Sequence, residues 1–193
     1  MSLSSNKAMR DNKASKKSIY SKMLITRKIQ LNIVNIGNDI LNVIEKIVVQ
    51  QLEGKCVVEG FIKQNSVRVQ NYSSGELYGA KVLFDVVIEC EVCSPVEGME
   101  ISCIAKNITK AGIRAEIQIK SSDVKGDFEQ TPVIIFLARD HHTDSSYFSN
   151  IKLNDKINVR VIGQRFELND KYVSVIAELI VPDIIQKPKL KMV

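Results

Sequence analysis

Apolar residues recur at every second position through much of the chain, and at every third or fourth position in one stretch. Ile40, Leu41, Ile44, Ile47, Val48 and Leu52 follow the i, i+3, i+4 spacing of a single helical face, which predicts an amphipathic helix. Asn38 is placed to cap its start, and Asp39 suits the positive end of its dipole. Gly54 lies just past its end, where a left-handed residue is favoured. Upstream, "MLITRKIQLNI" (23–33) predicts a strand. Downstream, "CVVEGFI" and "SVRVQNY" predict strands on either side of the polar turn "KQN", and "SSGELYGA" reads as a Gly/Ser-rich loop. In "KVLFDVVIECEV", Val82, Phe84, Val86, Ile88, Cys90 and Val92 form one apolar face. Asp85, Glu89 and Glu91 lie on the other, which predicts a half-buried antiparallel strand.

After "SPVEG" (94–98) the helical period stops. Met99, Ile101, Cys103 and Ala105 alternate with more polar neighbours. Ile113, Ala115, Ile117 and Ile119 alternate with Arg114, Glu116, Gln118 and Lys120, a clean period of two. "PVIIFLA" predicts a more buried strand, with Phe136 in the core. "DKINVRVIG" and "KYVSVIAEL" predict two more, joined through an Asn169-Asp170 turn. Five short strands that must each bury a face and hide their edges suit a closed barrel of the OB type. The expected fold class is therefore α+β, a helix on an antiparallel sheet followed by an all-β barrel. The expected boundaries are a basic tail at 1–22, a first domain at 23–95, the barrel at 96–181 and a short tail at 182–193.

Charge changes this picture at one end. Residues 1–28 sum to about +7 against +5 for the whole chain, so the cationic excess lies in the N-terminal segment. Such a segment reads as a disordered extension able to contact nucleic acid or an acidic neighbour. No apolar run is long enough to cross a bilayer, and the N-terminus lacks the apolar core of a secretion signal. The sequons at Asn71 and Asn107 are accordingly expected to carry no sugar. Cys90 and Cys93 are spaced as a zinc pair, but no second pair follows, and an odd separation on a strand sends them to opposite faces. Buried reduced thiols are expected, with no metal and no cofactor. His141 and His142 read as a solvated loop. Glu89 and Glu91 read as solvating their strand. With no phosphate-binding Gly-rich loop, no GxSxG elbow and no nucleophile–base set, the chain itself is not expected to be an enzyme. Lys106, Lys110 and Arg114 fall on the outward side of the first barrel hairpin, and Arg139, Arg160 and Arg165 can extend that patch. Aromatics near it are scarce, so RNA binding is expected to be electrostatic and weakly sequence-specific.

In order and spacing the chain resembles the larger stalk subunit of multisubunit DNA-directed RNA polymerases of the eukaryotic and archaeal type. Three stretches carry the resemblance, "QLEGKCVVEGFI", "LFDVVIECEVCSPVEGMEISCIAKNITKAGIRAEI" and "IKLNDKINVRVIGQRFELNDKYVSVIAEL", within about residues 24–181. It implies a truncated RNP-like first domain whose tip docks on the polymerase core near the clamp, and an OB barrel beside nascent single-stranded RNA. By that resemblance Val58, Gly60, Phe61 and Ile62 fall in the docking tip. Phe61 and Ile62 are then expected to be exposed in the free subunit. Lys106, Lys110 and Arg114 face RNA. The implied partners are the polymerase core subunits, a small second stalk subunit and RNA, with no membrane. The aromatic pattern "FGAFV" of related RNA-binding barrels is replaced by Ala111, Gly112, Ile113, Arg114 and Ala115, which removes its stacking platform. The excess of 25 Ile over 12 Leu points to an AT-rich genome such as that of a large cytoplasmic DNA virus or a protist. The expected location is then the virion and host cytoplasm, or the nucleus for a cellular source. A free-standing OB-type RNA-binding protein is the alternative reading.

Overall fold

The computed structural model describes residues 18–37, 39–117, 131–143 and 145–182. The first half holds β1 (Tyr20–Asn32), a 3-10 turn (Ile33–Asn35), α1 (Ile40–Leu52), β2 (Cys56–Val57), β3 (Gly60–Ile62), β4 (Arg68–Tyr72), β5 (Glu76–Tyr78) and β6 (Lys81–Cys93). The second holds β7 (Glu100–Ile108), β8 (Gly112–Glu116), β9 (Val133–Ala138), a 3-10 turn (Arg139–His142), α2 (Ser146–Ser149), β10 (Lys156–Arg165) and β11 (Val173–Leu179). Most of residues 1–22, the proposed cap Asn38, the strand residue Ile119 and residues 183–193 lie outside the described residues.

β6 organises the first half. It runs antiparallel to β1 over its whole length, from Tyr20 opposite Cys93 to Asn32 opposite Lys81. Its other edge takes β5, β4 and β3 in turn, and β2 pairs beyond β3. The alternating face read from the sequence is the buried one, from Val82 to Val92. Ile44, Val48 and Leu52 of α1 share a core with it and with Ile25, Ile29 and Leu31 of β1. Each such side chain contributes roughly 1.5–3 kcal/mol by leaving water. Gly54 ends the helix at φ +69, the left-handed position expected of it. On the opposite face Glu89, Asp85 and Glu91 pair with Lys22, Lys28 and Lys63. The Lys28 pair is exposed and adds little stability, while Lys63 and Glu91 are half-buried.

The second half is a closed five-stranded barrel in the order β10-β11-β9-β8-β7. β9 and β11 are parallel and the other four contacts antiparallel, an arrangement consistent with an OB-fold. Ile101, Cys103, Ala105, Ile113, Ala115, Val159 and Val175 fill it. Gly112 sits where β8 crosses β9. A Cβ built there would lie 2.1 Å from the Leu137 carbonyl oxygen at φ +155, so only glycine fits.

The two halves share core residues. Cys93, at the end of β6, is buried with the barrel, whereas Cys90 is buried under α1. The odd spacing thus sends the two thiols into different cores, as the strand geometry predicts. Cys56 and Phe61 of the β2–β3 hairpin join the barrel core. The Cys56 N–H donates to the Asp170 carbonyl at 2.8 Å, and the Asn169 N–H donates back to the Cys56 carbonyl at 2.9 Å. Asn169, at φ +70, forms the turn read from the sequence.

Several expectations are corrected. β1 begins at Tyr20, so residues 20–22 belong to the sheet and not to the tail. "CVVEGFI" is a two-strand hairpin turning at Val58-Glu59, because Phe61 pairs with both Cys56 and Cys93. "SSGELYGA" contains β5, held by the start of β6. His142 is not solvated but buried. Its Nε2 accepts from the Leu179 N–H at 2.8 Å, so its Nδ1–H donates to the Ala138 carbonyl at 2.7 Å. The ring stacks on Phe148 with centroids 4.7 Å apart. This fastens the β9–β10 connection to the last strand.

Gly112→Ala is expected to destabilise the protein by about 2–4 kcal/mol, since backbone must move to admit the methyl group. Urea unfolding followed by circular dichroism reads this directly, and an unchanged midpoint contradicts the crossing geometry.

Candidate nucleic-acid and docking surfaces

The barrel's outer wall is set by strand parity. In β9, Val133, Ile135 and Leu137 point inward, which turns Phe136 outward at 43% exposure. Phe136 is therefore not a core residue, contrary to the sequence expectation. Its strand neighbours are Arg114 on β8 and Ile176 on β11, and Arg114 in turn pairs with Asn107 on β7. An exposed ring with a guanidinium on one side and an aliphatic side chain on the other can stack a planar base and meet a phosphate.

The cations expected here differ in availability. Lys106 lies exposed at the irregularity between Ala105 and Asn107 of β7, and Lys110 is exposed in the β7–β8 turn. Neither makes an ion pair among the described residues. Arg114 lies 3.1 Å from Glu116. Arg139 donates to the Lys110 and Thr109 carbonyls and lies over the Phe148 ring, so it braces the β7–β8 turn. Arg160 is held between Glu178 and Glu100. Arg165 is exposed and pairs with Glu167 at 3.5 Å. The structure gathers Lys106, Lys110, Arg114 and Arg139 around one end of β7–β8. It commits Arg160 elsewhere.

The expected docking tip has a different character from its sequence reading. Phe61 and Ile62 are 2% and 0% exposed, so the expectation that they face solvent is overturned. Phe61 fills the junction with the barrel, and Ile62 fills the core beneath α1. Gly60 serves by lacking a side chain, because a Cβ there would lie 2.6 Å from the Cys93 carbonyl oxygen at φ +134. Val58, at the hairpin turn, is 77% exposed. The adjacent Glu59 is strapped to β1 by Arg27 at 2.5 Å. Burial pushes the Glu59 carboxyl up, but the hydrogen bond from Arg27, a backbone N–H and the Arg27 charge outweigh it and hold the carboxyl below its ordinary value. That strap therefore supports the fold above the carboxylate range and is lost as pH falls through it.

Sequence reasoning missed a second apolar surface at the far end of the sheet. Ile33 and Val34 follow β1, and Leu77 and Tyr78 lie on β5. Their exposures are 51%, 87%, 75% and 69%. The Ile33 N–H donates to the Ala80 carbonyl at 3.2 Å, which draws the two segments together. Leu77 and Tyr78, consecutive on β5, face opposite sides of the sheet, so this end exposes apolar side chains on both faces. The sequence signal was present in "LYGA", where two large apolar residues stand beside a glycine turn.

The cysteines are chemically quiet. Burial pushes Cys93 and Cys103 up to about 12 and, with Asp170 adding to it, Cys56 up to about 11. Thiols so held are protonated and poor nucleophiles. Among the described residues no group of three His, Cys, Asp or Glu is arranged to hold a metal. No helix among them is long and apolar enough to cross a membrane.

No known family profile matches the chain. Among curated proteins it is 25% identical over 175 residues to a protein of Acanthamoeba polyphaga mimivirus named "Putative DNA-directed RNA polymerase subunit". The match covers 84% of this chain and 83% of that one, so it takes in both halves of the fold. This likeness supports an RNA polymerase subunit family.

Phe61→Ala is expected to lower stability by about 3–5 kcal/mol, the cost of a large buried cavity. A thermal or urea melt measures it. A variant as stable as the parent shows that Phe61 does not fill the junction.

Proposed function

We propose that this chain is a non-catalytic subunit of a DNA-directed RNA polymerase, built as a stalk that docks by one end and offers its barrel to nascent RNA. The observation that carries the polymerase part of this reading is the likeness to the mimiviral protein over 84% of this chain and 83% of that one. The architecture supports it, with a sheet domain, a rigid junction and an OB-type barrel in the order of the stalk family.

The docking end is the apolar cluster of Ile33, Val34, Leu77 and Tyr78, and the partners are the polymerase core subunits. Of the tip residues first expected to dock, Val58 has a side chain exposed to reach a partner, while Gly60, Phe61 and Ile62 shape the hairpin. RNA meets the barrel at Lys106, Lys110 and Arg114, with Phe136 supplying one stacking ring. Arg139 positions the turn that carries Lys110, and Arg165 adds charge at the periphery. The working location is the virion and host cytoplasm of a large DNA virus. A free-standing RNA-binding barrel is favoured instead only if the apolar end proves to have no partner.

Leu77→Ser combined with Tyr78→Ser removes exposed apolar surface and should leave folding within about 0.5 kcal/mol. In tandem affinity purification the double variant is expected to lose the core subunits that the parent retains. Undiminished recovery refutes docking through this end.

Lys106→Ala with Lys110→Ala should weaken binding to all RNA homopolymers alike and flatten the salt dependence. Phe136→Ala should cost about 1–3 kcal/mol at any salt, as loss of one stacked base. Filter binding or fluorescence anisotropy across a salt series separates the two effects. Binding that survives all three substitutions places RNA elsewhere.

A further inference from the structure

β1 is a 13-residue strand with a neighbour on one side only among the described residues. All its ladder partners belong to β6. From Ser21 to Asn32 its other edge has no strand partner among the described residues. Ser21, Lys22, Met23, Leu24, Thr26, Lys28, Gln30 and Asn32 are exposed. An edge of this length is a template for an added strand unless it is protected.

Two features say what would fit. Met23 and Leu24 are consecutive, so they point to opposite faces of the sheet, and they are 40% and 66% exposed. A strand laid beside them would cover one apolar side chain on each face. The charged residues of β1 are Lys22, Arg27 and Lys28, with no acid among them. Lys22 and Lys28 are 75% and 73% exposed and make only long ion pairs across to β6, at 3.6 and 4.0 Å. Two copies of β1 side by side would set cation against cation, which disfavours a homodimer through this edge. An acidic strand meets the opposite situation.

We infer that the free edge of β1 accepts an extended segment of a partner protein, an alternating acidic and apolar strand that completes the sheet. The inference rests on the edge, its exposed apolar pair and its charge, and does not depend on the polymerase reading.

The probes are synthetic eight-residue peptides alternating Glu with Val or Ile, a matching peptide with Lys in place of Glu, and an N-methylated form of the Glu peptide. The readout is backbone hydrogen exchange of the full chain. The Glu peptide is expected to slow exchange at the alternate amides of residues 21–32 that point away from β6. The Lys peptide should bind at least about tenfold more weakly. The N-methylated peptide should give no protection, because it cannot complete the ladder. Lys22→Glu with Lys28→Glu should reverse the preference between the charged peptides. No protection by the Glu peptide overturns the inference, as does equal binding of Glu and Lys peptides. Equal protection by the N-methylated peptide rules out strand addition. Protection of the edge-facing amides, those not bonded to β6, already present in the dilute chain alone means that another segment of the chain occupies the edge. Protection that rises with protein concentration means that a second copy does. Either result overturns the partner strand.

Discussion

β6 is one unbroken strand that serves two hydrophobic cores. Up to Val92 its alternate side chains lie under α1, and at Cys93 the next residue turns into the barrel. Because a strand sends neighbours to opposite faces, this single step couples the sheet to the barrel without a flexible hinge. The β2–β3 hairpin locks the step. Phe61 stands between Cys56 and Cys93, and backbone hydrogen bonds tie Cys56 to the β10–β11 turn. Gly60 is glycine because the hairpin must pass within contact of the Cys93 carbonyl. A hairpin drawn in this tightly is part of the junction, and its buried side chains, Phe61 and Ile62, are not available to a partner.

The positions of the two candidate surfaces follow from that strand. Thirteen residues of β6 extend about 40 Å, with the junction at one end and Leu77, Tyr78, Ile33 and Val34 at the other. The proposed docking end and the proposed RNA surface would thus sit apart along one continuous strand. At the barrel, parity places Phe136 and Arg114 side by side on the outside. Charge there is thinner than a count of basic residues suggests, since Arg160 and Arg139 are engaged within the protein. Lys106 and Lys110 remain exposed and make no ion pair among the described residues.

Much of the fold was legible because its periods are clean. The alternation of β6, β7, β8 and β11 and the stripe of α1 each identify a buried face without outside help. The misreadings share one physical cause, partners far away in sequence. Phe61 looks like an exposed tip until the barrel, which begins about forty residues on at Glu100, is folded against it. "VIIFLA" is apolar throughout, so polarity does not reveal which residues face out, and local pattern alone places Phe136 in the core. β5 exists only because β6 pairs with it. His142 is buried because the Leu179 N–H, 37 residues away, needs an acceptor. The surfaces were read less well than the cores for the same reason. Exposure depends on what does not pack, and local pattern carries little information about that.

The most direct test of the central claim is cross-linking mass spectrometry on material purified from its native source through this chain. Lys81 is exposed at the start of β6, beside the apolar end. The account predicts that the chain elutes with a multisubunit polymerase and that Lys81 cross-links to its core subunits. A chain that elutes alone, with Lys81 linked only within itself, contradicts it.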